Sequence, residues 1–298
     1  MDEALLLRNR FKYFKMIFIS MNRDNFISMD AIRFGLNGLE KNKRFFMILA
    51  IIVSVLYHMP TLISKYFFKF QILDGTDLSE ISAGLLMIFV FMIIYLIVEL
   101  GLLRIALKFK DNKAVEFKDL FGGYHFLPKY LLATIIFFLI VTLPYCIIIF
   151  LSILLGREAS EEYILLAAML VTLGAAAYLH LKYQFFGYFI VDRGSGPIES
   201  LKQSSRMTRG NLKNLLIFWI EMGLVIGFIS AIASIVIEIP VTMILVIVSE
   251  DFAAMSGDFV SSTISLFVAV PLTKLATADI YRRLEERSDE AVHRTIRR

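Results

Sequence analysis

Cysteine and tryptophan are almost missing from this chain of 298 residues, which holds one of each, Cys146 and Trp219. One cysteine cannot close an internal disulfide, so no cystine framework organises the fold. The four histidines (His58, His125, His180 and His293) stand apart without ligand spacing, and no metal site is expected. Charge is also scarce: 19% of residues are charged, where a soluble domain has about a quarter. No glycine-rich phosphate loop, HExxH, GxSxG or carboxylate pair beside a nucleophile is found. Neither an enzymatic activity nor a cofactor is therefore expected. The apolar stretch 16–21 is too short for a secretory signal and is flanked by charge.

What is present is apolar length. The chain is 58% hydrophobic, with a mean hydropathy of +0.71. Six apolar runs cover residues 45–64, 81–107, 130–155, 163–191, 215–237 and 259–281. Each has about 20 residues or more, enough to cross a hydrocarbon core as a helix. Lys and Arg alternate between the connections. Nine precede the first run, and six stand in each of the second connection, the fourth connection and the C-terminal tail. One side thus carries 27 and the other three. That bias predicts an all-α integral membrane protein of six spans with both ends in the cytoplasm. The pI near 9.0 would suggest nucleic acid in a soluble protein. Here orientation and contact with anionic lipid account for it, and nucleic acid is not an expected partner.

No connection is long enough for a soluble domain. Residues 1–28 read as a basic, aromatic interfacial segment, 29–284 as the membrane domain and 285–298 as a basic tail. Residues 239–249 are uncharged, too short to span, and expected to lie half-buried on the outer face. The first, third and fifth runs start about 85 residues apart, each after a polar-to-amphipathic stretch. The pattern reads as three units, each a cytoplasmic surface helix feeding a helical hairpin. In the first stretch Ile32, Leu36 and Leu39 fall at helical spacing; in the third, Ile198, Leu201 and Ser205 do.

Charged residues inside spans are the natural candidates for function, because each costs about 2.5–3.5 kcal/mol to insert. Glu99, Glu221, Lys274 and Asp279 fall at similar depth, and Lys274 is expected to pair with Glu99 or Glu221. Such a layer serves either as a helix-locking ion pair or as a polar path. His58 with Pro60 marks an expected kink, and Glu238 beside Pro240 an interfacial acid. Gly223 and Gly227 form a GxxxG extended by Ala231, expected to pack against the small residues from Gly174 to Ala177. His180, Lys182 and Gln184 read as an aromatic-belt boundary or a lipid headgroup pocket. Ser204, Ser205, Arg206, Thr208, Arg209 and Asn211 read as a helix boundary or as phosphate contacts.

Three stretches carry a resemblance: Gly101-Leu-Leu-Arg104 running to Asp119-Leu-Phe121, then Asp192 followed by Pro197 to Asn211, and the ending Ala278-Asp-Ile-Tyr-Arg-Arg-Leu284. Over residues 30–287 the chain resembles a superfamily of six-helix bacterial membrane proteins. That superfamily includes the YciC-like proteins and the membrane domain of some glycerophosphodiester phosphodiesterases. The resemblance implies a fold and a bacterial inner membrane but little chemistry, because most of the superfamily has no assigned activity, and the fused domain's phosphodiesterase activity is not carried over. The expected function is a non-enzymatic scaffold or accessory protein contacting lipid or an envelope protein complex. The rival is a transporter or export channel routed through Glu99, Glu221 and Lys274.

Overall fold

The computed structural model describes residues 26–63, 78–155, 161–247 and 250–296. They form helices joined by turns, with no strand among them. The order is α1 (Phe26–Lys41), α2 (Lys43–Ile63), α3 (Leu78–Lys110), two 3-10 turns (Phe117–Leu120, Tyr124–Phe126) and α4 (Leu127–Leu155). Then come α5 (Glu161–Tyr183), α6 (Phe186–Arg193), α7 (Pro197–Met207), α8 (Leu212–Ala233), a π turn (Ser234–Glu238), α9 (Ile239–Val246) and α10 (Glu250–Ile296).

Among the described residues four helical stretches are long and apolar enough to cross a membrane, or five if α1 and α2 count as one broken span. Those two meet at a 94° bend. Bulky apolar side chains stand exposed along these stretches: Leu85, Leu86, Phe89, Phe138, Leu143, Leu224 and Phe228 are all more than half exposed. A soluble monomer rarely leaves so much contiguous apolar surface uncovered, whereas lipid tails are as apolar as the side chains. The chain is therefore built for a membrane location.

Burial is concentrated toward one end of the bundle. There the C-terminal end of α3, the N-terminal ends of α2, α4 and α8, and the C-terminal half of α10 come together with α1, α6 and α7. Leu100, Phe185, Ile190, Phe218, Leu272 and Tyr281 are among its fully buried side chains. The Tyr188 and Tyr281 rings stack at 5.4 Å. α10 is the organising element, packed against α1, α2, α3, α8 and α9.

Three sequence expectations change. The fourth run is not one helix: it breaks at Gln184–Phe185 between α5 and α6. The break is stable because Ser204 Oγ accepts from the Phe185 N–H at 3.1 Å and reaches the Lys182 carbonyl at 3.1 Å. Freed backbone groups are thus satisfied inside the protein, as an apolar setting demands. Residues 239–247 are not a separate outer segment. α8 continues through the π turn into α9, and Leu212–Val246 reads as one 35-residue stretch. The π turn lies just before Pro240, which lacks an amide to donate. Finally, the stretch before α4 is a pair of 3-10 turns rather than a surface helix. It hugs α3, where a Cβ on Gly101 would lie 1.8 Å from the Leu120 carbonyl oxygen.

The amphipathic reading of α1 fits: Ile32 is buried, with Leu36 and Leu39 half-buried. In α7 the buried face is Ser200, Leu201 and Ser204, continued by Thr208 at its C-cap, while Ile198 is exposed. Residues 1–25, most of the proposed N-terminal segment, and 297–298 lie outside the described residues, whereas residues 285–296 of the proposed tail continue α10.

Candidate functional site

The four intramembrane charges do not form one layer but three separate contacts. Lys274 on α10 donates to Glu99 on α3, with side chains 23% and 15% exposed. Beside this pair the Tyr188 hydroxyl donates to the Lys274 carbonyl at 3.0 Å. Glu221 on α8 does not reach Lys274; it accepts from Ser28 Oγ on α1 at 2.6 Å. Asp279 is buried and accepts from Lys110 at the end of α3, at 2.6 Å. Arg283 Nε stands 2.7 Å from its other oxygen as an ion pair, without the alignment of a hydrogen bond. Each charge therefore has a partner on another helix, and each contact pins two helices.

The densest electrostatic site was not foreseen. Arg282 reaches Asp111 after α3, Asp192 in α6 and Glu285 one turn along α10, at 3.1, 2.7 and 2.8 Å. Asp192 also accepts from the Tyr281 hydroxyl at 3.2 Å, and Glu285 from Arg193 Nε at 3.1 Å. Burial pushes the Asp111 carboxyl up. The hydrogen bonds and positive charge of Arg282 and Lys113 outweigh it and hold the group below the usual carboxylate range. The sequence signal was the Tyr-Arg-Arg ending together with Asp192. Nearby, Asp119 accepts from Lys108 at 2.5 Å and from the Glu116 N–H at 2.9 Å, fixing the 3-10 turn on α3.

The residues read as lipid or phosphate contacts divide. Ser204 and Thr208 are buried, their hydroxyls spent on the Lys182 and Ser204 carbonyls. They cannot reach a ligand. Gln184 is likewise committed, accepting from Trp219 Nε1 at 2.7 Å and donating to the Leu181 carbonyl at 3.1 Å. Lys182 lies over the rings of Tyr178 and Tyr183 at 5.7 and 5.4 Å. His180 is exposed, edge-on to Trp219 at 5.6 Å. Ser205 is half-buried, and Arg206 and Arg209 are exposed.

The expected packing of Gly223 and Gly227 against Gly174 is not formed among the described residues. A Cβ at any of the three would meet nothing within 4 Å. All three glycines are exposed; for the two on α8, the opposite side, with Leu215, Phe218 and Met222, occupies the core. A polar cluster appears instead between α2 and α10. His58 Nε2 lies 2.7 Å from Ser262 Oγ, and the buried Ser54 lies 3.1 Å from Ser262 and accepts from Thr263 at 2.8 Å.

No group of three His, Cys, Asp or Glu side chains among the described residues could hold a metal ion. The arrangement knits helices together and leaves basic groups at the surface of one end. Comparison with family models, curated proteins and solved structures finds no match to this chain.

Proposed function

We propose that this chain is a non-enzymatic scaffold or accessory protein embedded in a bacterial inner membrane. It has six spans in three hairpin-like units, with both ends in the cytoplasm. The split of 27 basic residues against three supports that orientation. The resemblance to the YciC-like superfamily supports the span count and the source membrane. The observation that carries the function is the pairing of Glu99, Glu221, Lys274 and Asp279, each with a group on a different helix. Charges spent on holding a bundle closed suit a protein that presents surfaces to lipid or to a partner complex.

The rival, a transporter or export channel, draws on the residual exposure of Lys274 and Glu99. A water-soluble thiol reagent separates the two. In a Cys146→Ser background, Thr273→Cys beside the pair is expected to resist the reagent in intact membranes. Fast labelling there would favour an aqueous route and sink the scaffold reading. Purification in mild detergent, with mass spectrometry of everything retained, then identifies the partner.

A further inference from the structure

At the buried end of the bundle several basic side chains are spoken for: Lys108, Lys110, Arg282 and Arg283 all hold carboxylates. Lys202, Arg206, Arg209 and Lys213 are different. All four are exposed, and none forms an ion pair among the described residues. They follow one another along α7, the turn after it and the first turn of α8. Glu199 shares the exposed face of α7, so the net charge of the group stays positive. Its carrier is rigid, since Thr208 and Ser204 tie α7 to the Lys182 carbonyl. Gly210, at φ 85°, takes a left-handed conformation in the turn that leads into α8. The N-cap residue Asn211 makes no side-chain cap bond. The first amides of α8 thus lack intrahelical acceptors and add positive potential beside the basic group.

Below these bases the same side of α8 is apolar and uncovered. Leu216, Ile220 and Leu224 are exposed, and they share a helical sector with Lys213, Gly223 and Gly227. The missing side chains at the two glycines, with nothing within 4 Å of either Cβ position, cut a shallow trough in that face. A basic group with unsatisfied amides above a narrow apolar trough matches one amphipathic molecule with an anionic head.

We propose that this face binds an anionic phospholipid drawn from the surrounding bilayer. Its phosphate lies among Arg206, Arg209, Lys213 and the first amides of α8, and an acyl chain lies in the trough at Gly223 and Gly227. A zwitterionic lipid would bring its ammonium group among the bases, so an anionic headgroup is preferred. Ser200 and Ser204 of α7 take no part, because both are buried and already bonded. The site rests on the membrane-embedded accessory reading and names one of its ligands.

The test uses the full-length protein in nanodiscs of equal phosphatidylglycerol and phosphatidylcholine, with retained lipids counted by native mass spectrometry. The wild type is expected to retain an excess of phosphatidylglycerol. The variant Arg206→Gln/Arg209→Gln/Lys213→Gln is expected to lower that excess at least about fivefold. A control at the exposed bases of the α1–α2 bend, Lys41→Gln/Lys43→Gln/Arg44→Gln, is expected to leave it in place. An unchanged excess in the first variant, or an equal loss in both, overturns the site. Gly227→Leu is expected to reduce retention of both lipids, and normal retention there overturns the trough. Solute flux through the purified protein would overturn the accessory reading while leaving this lipid count intact.

Discussion

Lys274 illustrates how a single side chain sets the tolerance of the bundle. Removing it leaves the Glu99 carboxylate without a countercharge in an apolar setting. Lys274→Ala is therefore expected to cost about 3 kcal/mol or more, while Lys274→Met with Glu99→Leu recovers most of it. Thermal unfolding in detergent reads the difference, and equal melting of the single and double variants would contradict the argument. Asp111 makes a second prediction, with a definite sign. Its carboxyl is held below its usual range, so the ionised form favours the folded state. That contribution is fully present above the unfolded value near about 4 and is lost as pH falls through the folded value. Asp111→Asn is expected to flatten the acid limb of a melting-temperature series and to lower the neutral plateau. An unchanged acid limb would remove Asp111 from the network's energetics. At this scale the sequence offers Glu99 and Glu221 equally as partners for Lys274, because all three interrupt apolar runs, and the structure pairs Lys274 with Glu99. Nothing in the sequence hints at Lys110 for Asp279, 169 residues away, because Lys110 reads as an ordinary boundary cation.

Helices follow the same logic of local signal and distant constraint. The apolar runs announce that helices exist, since length and composition alone require them. The break at Gln184–Phe185 is silent in sequence, because the serine that stabilises it sits on α7. The π turn is half-silent: Pro240 advertises a disturbance but not that the helix survives it. Two glycine substitutions separate packing from propensity. Gly101→Ala is expected to destabilise by about 1–3 kcal/mol or more, because its Cβ would enter the Leu120 backbone. Gly223→Ala, with open space around it, is expected to be neutral or to stabilise by about 0.5–1 kcal/mol. Paired melting curves decide, and a damaging Gly223→Ala would mean that an unseen partner packs on α8.

At the scale of the molecule, the proposed orientation makes a prediction about sidedness. In the Cys146→Ser background, Ser205→Cys is expected to react with an impermeant thiol reagent only after the inner face of the membrane is opened. Reaction in sealed cells would reverse the topology. That proposal rests on the sequence alone, where the basic residues between the apolar runs sort into 27 against three.

The central place of α10 carries one more consequence. It leaves the ribosome after α1 to α9, so Glu99 must wait for Lys274, which is 175 residues later in the chain. At ordinary synthesis rates of about 5–20 residues per second, that interval is roughly 10–35 s. During it the earlier helices hold an acid in the bilayer with its partner still unmade. The half-built protein is thus marked as incomplete by its own electrostatics. Arrival of α10 pairs Lys274 with Glu99, Asp279 with Lys110, and Arg282 with Asp111 and Asp192, so the bundle closes as a single late event.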